Sequence, residues 1–203
     1  MCSRFSLTSP PEAVRAIFAY RDTPNFPVRY NIAPTQDIGG VPRRRRPTPL
    51  PHDALGIAAA VRQDPKAARR CLVPADGFYE WTGPKGARRP FLLRSRQGGL
   101  IAFAAIWERW RDRARGEIDA FAIITCDANA TVASLHGRMP VVLGHEHFDS
   151  WLDCKITDAS AAQVLLQPAP DDLLEAIEMH PQINDSRRDE PGIQQPLQTQ
   201  LLL

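Results

Sequence analysis

The chain has 203 residues, of which 43% are hydrophobic and 24% are charged, with 25 Lys and Arg side chains against 23 Asp and Glu. These proportions are typical of a globular protein and exclude a collagen-like or coiled-coil chain. No apolar run approaches the ~18 to 20 residues that span a bilayer, and the N-terminus has no secretory signal pattern. We therefore expect a cytoplasmic protein that does not contact membranes.

The charges are unevenly distributed. Residues 1–116 carry 21 basic and 9 acidic side chains, whereas residues 117–203 carry 4 basic and 14 acidic ones, and 22 of the 25 cations are arginine. Because arginine binds phosphate in bidentate fashion, a basic half-chain is consistent with a nucleic-acid partner. The alternative is arginine-rich codon usage, with two halves that neutralise each other in the fold.

The predicted elements begin with a helix. The segment from Thr8 to Glu12 offers a hydroxyl cap and first-turn prolines, and it predicts a helix through about Tyr20. A stretch punctuated by prolines follows, and residues 42–51 (PRRRRPTPLP) predict an exposed loop.

A series of strands is predicted next, in the segments CLVPADGFYEW, FLLR, LIAFAAIWERW, IDAFAIIT and MPVVL. The apolar run Phe121–Thr125 predicts a strand buried on both faces. Two short helices are expected near Glu146–Leu152 and Asp158–Leu166. These elements predict one α+β domain over residues 1–191 with a central mixed sheet, and a polar C-terminal tail over residues 192–203 that frays.

The cysteines and histidines give no metal or redox motif. Cys2, Cys71, Cys126 and Cys154 contain no CxxC pair, and Cys71 and Cys126 lie in apolar runs that predict core positions. The histidines of His145–His147 offer only a partial metal site, so we interpret them as a surface helix start. No metal and no other cofactor is expected.

Cys2 follows the initiator methionine, and this position has distinctive chemistry. If Met1 is removed, the chain begins with an α-amine of pKa roughly 7.7–8.0 next to a thiol. The amine can condense with an aldehyde to a Schiff base, and the thiol can then close a five-membered thiazolidine ring. A cysteine at a frayed terminus is the alternative, although Arg4 and Phe5 favour an anchored terminus.

Two further residues are candidates for proton transfer. Glu80 lies between two aromatic residues, an arrangement that removes water from a carboxylate and raises its pKa. The alternative is an outward-facing strand glutamate. His136 lies in a predicted turn and can act as an acid or base or steady an imine, or else serve as a cap.

Six segments occur in the same order in one known family. They are MCSRF, RYNIAPTQ, RRCLVPADGFYEW, FAAIWERW, FAIITCDANATVASLHGRMPVVL and, more loosely, Pro181–Asn184. On these motifs the chain resembles the SOS response-associated peptidase (SRAP) family of abasic-site processing proteins. The resemblance implies the SRAP fold, a single α+β domain whose mixed, partly barrel-like sheet is flanked by short helices.

The resemblance also implies a bacterial protein of the SOS response that acts as a monomer and associates with the nucleoid during repair. Its partner would be single-stranded DNA with abasic sites, which Cys2 would trap as a thiazolidine crosslink. Glu80 would move protons during ring opening and closure, and His136 would stabilise the Schiff base. The positions implied to contact DNA are Arg4, Asn31, Pro34, Thr125 and Arg138. The family name also implies autoproteolysis that exposes the cysteine.

The chain departs from the family pattern in two places. Ser3 replaces the usual glycine, where a side chain hinders close approach to DNA. The NARxET segment, whose Asn positions the sugar, is missing, and Leu55-Gly56-Ile57 matches a WGLIPxW segment without its tryptophans. Aromatic stacking contributes ~1–3 kcal/mol per base, so we expect weaker binding, although Arg43–Arg46 offer substitute phosphate contacts. Two alternatives stay open: a non-catalytic single-stranded DNA binder, and a Cys2-dependent peptidase.

Overall fold

The structure is a computed structural model that describes residues 4–19, 26–34, 36, 55–56, 69–112, 116–153 and 162–197. Strands dominate these ranges and a few short helices flank them, so the predicted α+β class is confirmed. No helix within the described ranges is long and apolar enough to cross a membrane. The exposed loop predicted at residues 42–51 and the arginines within it lie outside the described residues.

The first of two five-stranded sheets is built from the two ends of the chain and the GFYEW hairpin. Its strands are β1 (Arg4–Leu7), β2 (Arg29–Ile32), β5 (Gly77–Thr82), β6 (Arg89–Ser95) and β12 (Leu174–Glu178). They lie in the order β12-β6-β5-β1-β2, and each pair is antiparallel. The sheet therefore places the start of the chain beside the GFYEW strand.

The second sheet is centred on one long strand. It contains β3 (Leu55–Gly56), β4 (Arg69–Ala75), β7 (Ile101–Asp112), β8 (Gly116–Ile123) and β11 (Val142–Leu143). β3 runs parallel to β8, which makes this sheet mixed, as predicted. A separate two-stranded ribbon pairs β9 (Thr125–Asp127) with β10 (Arg138–Pro140).

The two sheets pack against each other through a shared apolar core. The ring of Phe103 on β7 meets Phe5 and Phe78 of the first sheet edge-on, with centroids 6.0 and 5.9 Å apart. Asp76 lies where the chain crosses from β4 to β5, and its carboxylate accepts backbone N–H bonds from Thr8 and Ser9. The predicted single central sheet is thus two sheets, and Asp76 lies at one of the points where the chain passes between them.

Helix α1 (Pro11–Phe18) confirms the first predicted helix, with one correction at its start. The predicted hydroxyl cap is wrong, because Pro10 is the N-cap residue and no side chain caps the helix. The Ser9 hydroxyl bonds to Asp76 instead.

The other helices are short. In α2 (Ala130–Ala133) the Asn129 side chain accepts the Val132 N–H as an N-cap. A 3-10 helix, His145–His147, leads into α3 (Phe148–Leu152), which confirms the helix predicted there. Residues 158–161 of the helix predicted over Asp158–Leu166 lie outside the described residues; of the described part, residues 162–163 are helical and residues 164–165 form a turn.

Two burial predictions need correction. Of the run Phe121–Thr125, Phe121 is buried, but residues 122–125 are partly exposed because they lie where β8 ends. Residues 101–105 of β7 are buried throughout. The predicted fraying is wrong for residues 192–197, because Ile193 is fully buried and Pro196 bridges to Met179. Residues 198–203 lie outside the described ranges, so the tail there stays a prediction.

Candidate functional site

The strand β5 directs its side chains alternately to two different environments. Phe78 packs in the core between the sheets, and Glu80, two residues further on, lies on the same face. Tyr79 packs on the opposite face against Met179 and Ile193, under the C-terminal segment that we define as residues 179–197. The alternation of GFYEW therefore places a carboxylate on the core side of its sheet.

Glu80 is buried, with 4% of its surface exposed. Within the described part of the chain, its Oε1 atom has no hydrogen-bond partner. Burial disfavours the ionised form and raises the pKa of Glu80 to about 7. The predicted desolvation is confirmed, and the outward-facing alternative is wrong. A carboxyl group of this kind can both give and take a proton near neutral pH.

Strand β1 places the start of the chain next to this strand. Arg4 lies opposite Tyr79 and Phe5 lies opposite Phe78 in the antiparallel pair. Cys2 and Ser3 lie outside the described residues. The described part of the chain therefore begins at Arg4, on the strand paired with β5.

Arg4 is held firmly in place. Its guanidinium donates to the carbonyls of Ile183 and Asn184, at 2.5 and 2.9 Å, and lies over the Trp81 ring at 4.9 Å from the centroid. Burial of this side chain lowers the pKa of Arg4. Arg4 thus joins β1 to the C-terminal segment.

A cavity of about 320 Å³ opens beside Arg4, and we call it the hairpin cavity. It is lined by Arg4, Trp81, Lys85, Gly86, Arg88 and Asn184. Sequence reasoning missed Lys85 and Arg88. The available signal was a basic turn, GPKGAR, directly after the GFYEW strand.

The Asn31 side chain is fully buried, although the resemblance implies a DNA contact there. Its amide nitrogen donates to the carbonyls of Ile183, Asp185 and Arg188 at 3.0 to 3.3 Å. A direct contact with DNA would require these bonds to rearrange. Pro34, by contrast, is exposed in a turn.

The other predicted residues cluster on the β9–β10 ribbon. One Arg138 nitrogen, Nη2, donates to the Thr125 carbonyl at 2.7 Å and to its hydroxyl at 3.0 Å, and the other, Nη1, pairs with Asp127 at 3.1 Å. His136 lies in the turn between α2 and β10, as predicted. Its Nδ1 atom is 3.0 Å from both the N–H and the carbonyl oxygen of Arg138.

Cys71, Cys126 and the His145–His147 turn fit structural roles, and Cys154 lies outside the described residues. Cys71 and Cys126 are free and buried, which confirms their core placement, and burial raises the pKa of the Cys126 thiol. The His145–His147 turn is exposed on the surface, as interpreted from the sequence. Among the described residues, no three His, Cys, Asp or Glu side chains come together as a metal site.

Comparison with known proteins gives consistent matches. The chain is 28% identical over 221 residues to abasic site processing protein YoqW of Bacillus subtilis (strain 168), covering 95% of this chain and 98% of that protein. It is 31% identical over 153 residues to abasic site processing protein HMCES of Gallus gallus, covering 64% of this chain and 44% of that protein.

Solved structures show the same fold. A protein from Bordetella bronchiseptica superposes with a TM-score of 0.69 at 22% identity, covering 88% of this chain and all of that chain. One from Bacteroides thetaiotaomicron superposes with a TM-score of 0.67 at 21% identity, covering 97% of this chain and all of that chain. The family model described as SOS response associated peptidase (SRAP) matches residues 57–186, which include Glu80 and His136. Because this match covers more than half of the sequence, the chain belongs to the SRAP family.

Proposed function

We propose that this protein processes abasic sites in DNA by binding a single strand and forming a thiazolidine crosslink through Cys2 after Met1 is removed. The relatives named abasic site processing proteins support the general activity. The observation that carries the finer proposal is Glu80: a buried carboxyl group with a pKa of about 7, on the strand next to β1, and with one oxygen that has no hydrogen-bond partner among the described residues.

Covalent geometry keeps Cys2 close to this strand. Two residues span at most about 7 Å, so the Cα of Cys2 lies within that distance of the Arg4 Cα. Arg4 is fixed opposite Tyr79, the residue before Glu80. We therefore propose that the N-terminal cysteine reaches the carboxyl group of Glu80, as acid–base catalysis requires.

The proposed reaction balances without any co-reactant. The α-amine of Cys2 adds to the aldehyde of the ring-opened deoxyribose, and loss of one water gives an imine. The thiol then adds to the imine carbon, so that a C–S bond forms and the thiol proton moves to the nitrogen. Glu80 protonates the departing hydroxyl and accepts a proton in the reverse direction.

His136 and Arg138 would serve the same reaction from the ribbon. His136 would stabilise the protonated imine or assist reversal, since its Nδ1 atom is held by the Arg138 backbone at 3.0 Å. Arg138, with half of its side chain exposed, would contact a phosphate next to the lesion. We place the protein in the cytoplasm, acting as a monomer on damaged DNA.

The experiment is to incubate the purified protein with a single-stranded oligonucleotide containing one abasic site and to run a denaturing gel. We expect a shifted band that resists denaturant and is absent with Cys2→Ala. Cys71→Ala, which changes a buried cysteine, is the matched control and should retain the band. Absence of the band from protein whose mass shows that Met1 is removed would refute the proposal.

A second candidate is a non-catalytic single-stranded DNA binder, which the missing NARxET segment favours. Reversible, salt-sensitive binding without any crosslink, unchanged in Cys2→Ala, would support this candidate. Cleavage of a peptide that depends on Cys2 and is indifferent to DNA would instead indicate a peptidase.

A further inference from the structure

The Lys85 and Arg88 side chains stand apart from the other described cations. Most described arginines pair with carboxylates, as Arg89 does with Glu178 and Arg94 with Glu175. Others bond to carbonyl oxygens, as Arg4 and Arg96 do. Among the Lys and Arg side chains that the structure describes, Lys85 and Arg88 are the two without a hydrogen bond or an ion pair, and both line the hairpin cavity.

The walls of the hairpin cavity are already held in position. The Trp81 indole N–H donates to the Asn184 side-chain oxygen at 2.7 Å, and the Asn184 nitrogen donates to the Arg88 carbonyl at 3.2 Å. Arg4 ties the same segment to β1. Binding an anion here needs little reorganisation, which favours affinity.

We propose that the hairpin cavity binds a phosphodiester of single-stranded DNA through Lys85 and Arg88. Two exposed cations with no carboxylate partner attract a negative ligand, and arginine matches the two oxygens of a phosphate. The volume of about 320 Å³ lies at the small end of ligand sites, which suits one backbone unit rather than a large ligand. This inference rests on the proposed single-stranded DNA partner.

The location defines a path for the strand. Trp81 is the residue after Glu80 on β5, and the two side chains lie on opposite faces of the sheet. A DNA strand bound in the hairpin cavity would therefore pass the end of the sheet where β1 begins and β5 ends. This end lies next to the proposed crosslinking site.

The test measures binding of a fluorescent oligothymidylate without abasic sites at several salt concentrations. Each phosphate contact on a single strand contributes about 0.7 to the slope of log K against log salt. Lys85→Gln combined with Arg88→Gln should therefore reduce the slope by about 1.4. The matched control is Arg94→Gln with Arg96→Gln, which removes the same charge at the other end of β6 and should leave the slope unchanged.

The outcomes separate this inference from the proposed function. An unchanged slope in the Lys85 and Arg88 variant, an equal reduction in both double variants, or no binding by the parent protein would overturn the inference. Salt-sensitive binding with the predicted slope change, but without a crosslink to abasic DNA, would support the inference and refute the Cys2 chemistry.

Discussion

Each face of β5 buries one titratable side chain, and the two side chains differ in their hydrogen bonds. Tyr79 is completely satisfied: its hydroxyl donates to the Tyr30 carbonyl at 2.7 Å and accepts from Gln194 at 2.6 Å. Glu80, on the other face, keeps one oxygen without a partner in the described chain. Burial raises both pKa values, to about 12 for Tyr79 and to about 7 for Glu80.

This difference in hydrogen bonding and pKa predicts different roles for the two faces of β5. A phenol with a pKa of about 12 stays protonated at neutral pH, so Tyr79 holds the C-terminal segment in place. A carboxyl group with a pKa of about 7 exchanges its proton at neutral pH. Chemistry is therefore expected on the Glu80 face, whereas the Tyr79 face carries the structural contacts and the hairpin cavity.

The largest expected effect comes from removing the titrating proton. Glu80→Gln keeps the size of the side chain but cannot shuttle a proton, so the crosslinking rate at pH 7 should fall by at least about 100-fold. Glu175→Gln, which changes a carboxylate on β12 of the same sheet, is the control and should keep the parent rate. Quenched time courses with abasic DNA measure both rates, and equal rates for Glu80→Gln and the parent would remove Glu80 from the mechanism.

The same substitution should stabilise the fold at neutral pH. The folded protein keeps a proton on Glu80 up to pH 7, whereas the unfolded chain releases it near the usual value of 4.5. Stability therefore falls as the pH rises from 4.5 to 7 and stays low above this range. Glu80→Gln should remove this loss and raise the free energy of unfolding at pH 8 by up to about 3 kcal/mol.

Urea denaturation at pH 4.5 and pH 8 checks this prediction. The gain over the parent should be largest at pH 8 and small at pH 4.5, where the parent carboxyl group is already protonated in the folded state. A gain in the free energy of unfolding that does not change with pH would show that burial does not shift the pKa of Glu80.

The smallest expected effect concerns the opposite face. Tyr79→Phe leaves the Tyr30 carbonyl and the Gln194 amide without their partner, which should cost about 1–3 kcal/mol of stability. The pH dependence of crosslinking should not change, since the hydroxyl does not titrate near neutral pH. Thermal unfolding and a pH–rate profile test the two statements, and a shifted profile would contradict the division between the faces.

Local sequence patterns predicted the parts of the fold that depend on neighbouring residues. Apolar runs located the strands. The flanking aromatics predicted the desolvation of Glu80, but Tyr79 and Trp81 lie on the opposite face, and Glu80 is buried because it shares the core face with Phe78. The prolines at the start of α1 marked that helix. The N-cap was mistaken because the Ser9 hydroxyl bonds to Asp76, 67 residues away in sequence.

The features that the sequence did not reveal depend on distant partners. Arg89 is neutralised by Glu178, 89 residues further along the chain, and Asn31 is buried by carbonyls more than 150 residues away. No local pattern distinguishes these residues from the unpaired Lys85 and Arg88. The charge partition of the sequence counts the cations, but only the fold identifies which of the described ones have no partner.

The central claim is that Cys2 becomes covalently attached to abasic DNA. The most direct measurement is mass spectrometry of the proteolysed crosslink, which locates the adduct on the chain. We predict that the adduct lies on the N-terminal peptide beginning with Cys2, with the mass of the peptide plus the DNA fragment less one water. An adduct on a lysine side chain, or on any peptide that retains Met1, would contradict it.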